Sequence, residues 1–370
     1  FFFQIIPRPS LPSLLNYLMI VGTVSNVWPP KAKAKRVELI LRDAAWILLS
    51  LNVLITMAPL ILNIVYTEKG VVSLMTAMSE LNALFEVLFN LIICRVGRIK
   101  LQVENFLQSA DEKEIAILDK YVDRYWGFHV LVMFLFLLCA IIFSCGPIFL
   151  STSYPVEAWY PFSIESPIRK VTVYASQVLA ILQTGCGPVI DITIAIFLFF
   201  TSARLELLSF QLENVKSETD MRSCLKTHQD IIRFVEEVED GVRYIVTKTS
   251  ITMASAIMCG AFPLVYNPPL TVLIQFCCMV IAGCEKLYLT VWPADDLTEM
   301  SRKISFAAYN VNWIGSPKIS NDVVFMIQRS QKPLVIKMVG FLPVLSLEYF
   351  SNTVSSYFMT MRAVIEQDNL

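Results

Sequence analysis

Seven stretches of mostly apolar residues dominate this chain: Ala44–Tyr66, Val71–Cys94, Phe128–Leu150, Val171–Ala203, Ile245–Tyr266, Leu270–Val291 and Gly340–Met361. Each is about the 20 residues that an α-helix needs to cross the hydrocarbon core of a bilayer. Lipid offers the backbone no hydrogen-bond partners, so a lone crossing segment must satisfy its own N–H and C=O groups as a helix. Composition agrees. Of 370 residues, 55% are apolar and 16% charged, against roughly 45–50% and about 25% in soluble domains. This balance excludes a disordered chain, a coiled coil and an ordinary soluble enzyme. The expected fold class is an all-α membrane protein with seven transmembrane helices.

The opening stretch, Leu11–Val27, is shorter and bracketed by Pro12, Pro29 and Pro30. It lacks the cationic start and small-residue cleavage site of a secretory signal and reads as a helix lying along the membrane surface. Orientation follows from basic residues. Of the 30 Lys and Arg, all but Lys69, Arg169, Lys170 and Arg362 precede the first stretch or fall in the connections 2–3, 4–5 and 6–7, with Lys248 and Lys286 at their edges. The positive-inside rule then puts the N-terminus in the cytoplasm and the C-terminus outside. A G-protein-coupled receptor has the opposite orientation, and the outer connection Ser151–Lys170 has no Cys for the disulfide common in such receptors.

Chemistry-bearing constellations are scarce. Nine Cys are scattered through apolar runs with no CxxC pair, and the only two histidines, His129 and His228, are far apart. No zinc site, disulfide framework, catalytic triad or phosphate loop is indicated, and no cofactor is expected. A net charge of −1 gives no footprint for nucleic acid. The acidic pairs Asp295–Asp296 and Glu236–Glu237 read as solvated faces or helix caps rather than a metal site. Glu80, Asn82, Glu86, Asp191 and Glu348 lie within the apolar stretches. Ionisable groups there are costly, and each either lines a watery path or meets a partner on another helix; Asp191 favours the second reading.

Three inner segments, Glu104–Tyr125, Leu205–Tyr244 and Pro293–Lys337, lie on the cytosolic side. The first two alternate apolar and charged residues at helical spacing, and the third runs on from the sixth stretch into the seventh. As cytosolic extensions of the membrane helices they would pack into a bundle that holds subunits together. The outer halves of four stretches hold a different mixture: Met75, Met78, Ser79 and Asn82; Phe143, Gly146 and Leu150; Tyr174, Gln177 and Ile181; Phe276 and Met279. Aromatic and thioether groups with a few hydrogen-bonding atoms suit a small, mostly apolar ligand. Plain helix packing accounts for the same composition.

A series of short motifs then carries a resemblance. Ala158-Trp159-Tyr160-Pro161-Phe162, Ser166-Pro167, Tyr174 and Gln177 follow the third stretch. Ala307 to Trp313 and Arg329-Ser330-Gln331-Lys332-Pro333-Leu334 precede the seventh. Leu345 to Phe350 and Ser355-Ser356-Tyr357-Phe358-Met359 lie at the end. In this order, with seven stretches and inverted orientation, the chain resembles the insect odorant receptor family over essentially its whole length. The resemblance implies a tuned, odorant-binding subunit that assembles with the odorant receptor co-receptor (Orco) into a heterotetrameric, ligand-gated, non-selective cation channel. It implies the plasma membrane of olfactory sensory neurons and a small volatile organic ligand. The ligand would sit among the outer-half residues named above. The last helix would line the pore, with Tyr357 in the family motif and Thr360, Ala363 and Val364 near the outer gate. The chain then divides into a cytoplasmic segment with its surface helix (1–43), helices 1–4 with the ligand region (44–203), a cytosolic extension (204–244), helices 5–6 (245–292), an anchor segment (293–337), and the pore helix with the C-terminus (338–370). Two other readings stay open: a gustatory-receptor-like homotetrameric channel, and a seven-helix receptor that signals through a soluble partner.

Overall fold

The computed structural model describes residues 11–24, 35–66, 70–93, 112–149, 153–261, 270–314, 316–340 and 342–368. These residues are helical nearly throughout and contain no β-strand. In chain order the helices are α1 (Leu11–Val24), α2 (Arg36–Tyr66), α3 (Val71–Ile93), α4 (Glu112–Phe149), α5 (Pro167–Gly185), α6 (Pro188–Glu213), α7 (Glu218–Ala261), α8 (Leu270–Tyr309), α9 (Pro317–Ser330) and α10 (Leu347–Asp368).

The sequence Val189–Ala203 is apolar on nearly every side, broken chiefly by Asp191, and such a helix belongs at the centre of a bundle. That is where α6 lies: every residue from Pro188 to Ala203 is buried. Around it pack Leu118, Val122 and Tyr125 of α4, Ile231, Phe234 and Val242 of α7, and Leu287, Val291 and Leu297 of α8. A second, smaller core joins α2, α3 and α5 through Val53, Leu60, Leu84, Val87, Leu91 and Ala180, closed by Val156 from the outer connection. The other apolar helices are covered on one side only. The most apolar windows of α2, α3 and α4 are each 28% buried, against 89% for the α5–α6 rod. Ile40, Leu48, Ile55 and Val65 of α2 point outward, as lipid-facing side chains do, since lipid is as apolar as the side chains themselves.

The fourth apolar stretch is two helices rather than one. Gly185 ends α5, Pro188 occupies the first turn of α6, and the chain stays nearly helical between them through short backbone bonds from Gly187 to Thr184 (2.9 Å) and from Val189 to Cys186 (3.2 Å). Proline is tolerated there because its missing N–H lies in a first turn that needs none. Small residues let the rod approach its neighbour: a Cβ on Gly185 would stand 2.7 Å from the Ala140 Cβ of α4. The amphipathic segments are helical too, with α6 running on to Glu213, α7 starting at Glu218, and α8 passing through Pro293 to Tyr309. The last helix starts at Leu347 rather than at the Gly340 that opens the apolar stretch; Gly340 has a φ of 79° and the following residues carry Pro343. Among the described residues no disulfide forms and no group of three or more His, Cys, Asp or Glu converges as a metal site.

Candidate ligand-binding region and buried ion cluster

The candidate ligand residues fall on α3, α4, α5 and α8, and the structure shows what their polar groups do. Gln177 is buried on α5 and faces the connection that precedes it. Its Nε2 donates to the Val156 carbonyl (3.0 Å) and lies 3.1 Å from the Tyr160 hydroxyl, while its Oε1 accepts from the Val156 N–H (3.1 Å). The Tyr174 hydroxyl donates to the Ser144 carbonyl of α4 (2.8 Å). Asn82 donates from α3 to the Thr252 carbonyl of α7 (2.9 Å), and Ser79 to Thr76 within its own helix (2.7 Å). Met75, Phe143 and Gly146 are half-buried, Met78 is exposed, and Ile181 packs on the α2–α3–α5 core. Phe276 and Met279 lie on α8, but their side chains fall outside the described residues, as does Leu150 altogether.

The outer connection is therefore strapped down at several points. Asn63 of α2 donates to the Glu157 carbonyl (3.1 Å), the Trp159 N–H donates to the Pro59 carbonyl (3.2 Å), and the Trp159 ring lies 5.4 Å from that of Tyr66. Residues 153–160 form a cap against the C-terminal part of α2 and against Gln177 of α5. Ser79, Asn82, Tyr174 and Gln177 each make at least one hydrogen bond to protein. The half-buried Met75, Phe143 and Ile181 beside them offer thioether, ring and hydrocarbon surface, of the kind that selects by size and shape.

Deeper along the same helices lies an arrangement that charge counting along the chain missed. Lys248 of α7 and Lys286 of α8, read above with the cytosolic charge, are both buried. Lys248 Nζ is 3.0 Å from Glu86 Oε1 and 2.9 Å from Asn90 Oδ1, both on α3. Lys286 bonds the same Glu86 oxygen and lies 3.3 Å from Asp191 Oδ2 of α6. Asp191 also accepts from the Thr249 hydroxyl (3.3 Å). Gly187 lies beside the cluster: a Cβ there would be in ordinary contact with Lys286 Nζ (3.7 Å), and its tight neighbour would be the Thr184 carbonyl (3.0 Å). Two acids meet two amines, as burial of charge demands. The signal available in the sequence was that both lysines lie inside apolar stretches, where a charge needs an opposite partner. A cavity lined by Asn90, Leu91, Gln183, Gly187 and Ile190 adjoins the cluster.

Other acidic candidates have structural partners. Asp296 accepts from the buried Tyr125 hydroxyl and pairs with Arg124 (2.8 Å), whose guanidinium lies 5.5 Å from the Tyr125 and Trp292 ring centroids. Burial and Asp296 push the Tyr125 hydroxyl far above the ordinary tyrosine range. Asp295 accepts from the Leu347 N–H at the start of α10 (3.3 Å). Glu348 is exposed in the first turn of α10 and Glu80 is half-buried, while His129 is buried against the rings of Tyr125 and Phe199. On α10, Tyr357 is half-buried, and the side chains of Thr360, Ala363 and Val364 lie outside the described residues.

A central, nearly all-apolar rod, partners with outward apolar faces and ion pairs sealed between them define a multi-pass α-helical membrane protein. The family model described as 7tm Odorant receptor matches residues 95–358, most of the chain. The chain belongs to that family. It is 26% identical to Odorant receptor Or2 of Anopheles gambiae over 149 residues, 39% of each chain. It is also 26% identical to Odorant receptor 65a of Drosophila melanogaster over 216 residues, 52% of this chain and 50% of that one. The chain thus spans half the length of these relatives or less. The fold is that of the olfactory receptor OR5 from Machilis hrabei. The structure of that receptor in complex with eugenol superposes with a TM-score of 0.81 at 15% identity, covering 96% of this chain and 98% of that one. A second OR5 structure gives 0.83.

Proposed function

We propose that this chain is a receptor rather than an enzyme: the odorant-binding subunit of a ligand-gated, non-selective cation channel, assembled with a co-receptor as a heterotetramer in the plasma membrane of olfactory sensory neurons. Its N-terminus is cytoplasmic and its C-terminus outside, with seven crossings. The observation that carries the reading is the outer face of α10. Glu348, Ser351, Asn352, Ser355, Ser356, Phe358, Met359 and Arg362 are all exposed. Spacings of three and four residues join them into one broad stripe along the helix, and six of the eight are polar. Such a stripe is poorly suited to lipid and suited to water. Among the described residues the same helix packs chiefly on α7 and α8 at the edge of the protomer, where equivalent edges of several subunits can enclose a shared axis.

Two further features support assembly and ligand class. Phe306 and Tyr309 at the end of α8, Ile314 in the connection after it, and Val324 and Phe325 on α9 are exposed, and exposed apolar groups of this kind suit a subunit contact. OR5 of Machilis hrabei was solved with eugenol, which supports a small organic ligand in the region of Met75, Met78, Ser79, Asn82, Phe143, Gly146, Leu150, Tyr174, Gln177, Ile181, Phe276 and Met279. Burial of ligand hydrocarbon, worth about 25 cal/mol per Å², drives binding, and the difference in affinity between closed and open states drives α10 away from the axis. Tyr357, Thr360, Ala363 and Val364 then border the constriction that wets and conducts.

The test is expression with and without the co-receptor, with currents recorded across a panel of volatile compounds. Ligand-evoked cation current in the co-expressed case, with an N-terminal tag that antibody reaches only after permeabilisation, is the expected result. An extracellular N-terminus overturns the reading.

A further inference from the structure

The buried ion cluster has a second face. Residues 247–250 make one turn of α7, and at about 100° per residue a turn presents side chains all round the helix. Lys248 and Thr249 point into the cluster, toward Glu86 and Asp191. Thr247 and Ser250 point the other way. The Thr247 hydroxyl oxygen accepts from the Val339 N–H at 2.8 Å, and Ser250 donates to the Met338 sulfur at 3.4 Å. Val339 and Met338 belong to segment 331–346, whose described residues 331–340 and 342–346 are non-helical. The segment is closed by a backbone bond from Leu345 to Ile336 (3.0 Å) and leads into α10.

We propose that the Glu86–Lys248–Lys286–Asp191 cluster is a positioning device that locks α3, which carries candidate ligand residues, to the 247–250 turn of α7, and that this turn passes the position of α3 on to segment 331–346 and so to α10. Taking charges out of water is costly unless their partners stay at contact. Glu86 holds both ammonium groups with one oxygen, so a displacement of α3 that separated it from Lys248 or Lys286 would leave charge uncompensated in a medium of low dielectric. The helices move together or not at all. Thr247 lies one residue from Lys248, so a rotation or shift of α7 that follows Glu86 must carry the bond to Val339 with it.

The part of the proposal that concerns opening rests on the channel reading above; the structural part does not. The test uses the full chain with its co-receptor in lipid nanodiscs, with hydrogen exchange read over segment 331–346. Glu86→Gln touches neither this segment nor α10, yet it is expected to speed exchange there about tenfold, the factor that about 1.4 kcal/mol of lost protection gives. Thr247→Val is expected to do the same, and the double variant to do no more than Thr247→Val alone, because both act along one route. Asn90→Leu, which removes only the neutral bond to Lys248, serves if Glu86→Gln fails to assemble, with a smaller effect in the same direction. Exchange in 331–346 that is unchanged in both α3 variants, or effects that simply add, overturns the proposal. Currents separate the two readings. If the wild type gives no ligand-evoked current, the channel reading fails and exchange still decides this one. If the wild type conducts while Glu86→Gln moves neither exchange nor the half-maximal ligand concentration, the cluster proposal alone fails.

Discussion

Gln177 grips Val156 by both of that residue's backbone polar groups, accepting from its N–H at 3.1 Å and donating to its carbonyl at 3.0 Å. An amide side chain matches a backbone amide in this way, and no other side chain of similar length supplies donor and acceptor so placed. Gln177→Leu keeps the volume and removes both bonds, leaving two buried backbone groups without partners, each costing about 1–3 kcal/mol if water cannot reach them. The cap over residues 153–160 is expected to loosen. Limited proteolysis should cut this connection faster. Ligand potency should shift by about tenfold, the equivalent of 1.4 kcal/mol, with surface assembly retained. Unchanged proteolysis and potency together would show that the strap to α2 holds the cap without Gln177.

The contact of Gly185 with Ala140 gives a sharper steric test. An added methyl would stand 2.7 Å from the Ala140 Cβ and 3.4 Å from the Phe136 carbonyl oxygen, neither at the end of a flexible chain. Gly185→Ala must therefore push α5 from α4, at a cost of about 1–3 kcal/mol for overpacking. The thermal midpoint of the purified protein is expected to fall, and Gly185→Ala with Ala140→Gly to recover most of the loss. A double variant as unstable as the single one would place the strain in the backbone of the α5–α6 break instead.

Neighbouring acids on α8 are expected to behave differently. Asp296 satisfies the Tyr125 hydroxyl, which is fully buried, and pairs with Arg124. Asp296→Ala leaves that hydroxyl without its partner and is expected to cost about 2–3 kcal/mol of stability. Asp295→Ala removes only the bond to the Leu347 N–H that fixes the start of α10, at about 1 kcal/mol. Its signature is expected in ligand response rather than in melting: a half-maximal concentration raised about fivefold with a nearly normal thermal midpoint. Equal effects of both substitutions on melting would refute this division.

Particular residues show how far the sequence could be read. Apolar runs at α2, α3 and α4 are long enough that lipid admits one local structure for them. The break after Gly185 was marked by Gly185, Gly187 and Pro188. The late start of α10 was hidden because residues 341–345 stay apolar while Gly340 and Pro343 turn the chain. Pairings were not legible at all. Glu86 meets Lys248 across 162 residues and Lys286 across 200, and no local period encodes such separations. For the same reason the spacing of Gln177 placed it on a helix but gave no sign that Val156 would take up its amide.

Acid should loosen the N-terminal part of α7 and its packing through His228. This side chain is buried on α7, and burial, aided by the positive charge of Arg329, pushes its pKa from 6.5 down to about 4. Between those values the unfolded chain binds a proton that the folded one refuses, so stability rises with pH across the window and falls as pH drops from about 6.5 toward 4. At about 1.4 kcal/mol per unit, the loss approaches 3 kcal/mol at the lower end. Asp220, whose pKa is lowered by its bonds to Ser217 and Lys216, loses its contribution only below the ordinary carboxylate value of 3.8, beneath most of this window. The thermal midpoint of the wild type is therefore expected to decline steadily from pH 7 to pH 4. His228→Gln, neutral throughout, should decline less over the same range. Parallel curves for the two proteins would assign the acid sensitivity to other groups.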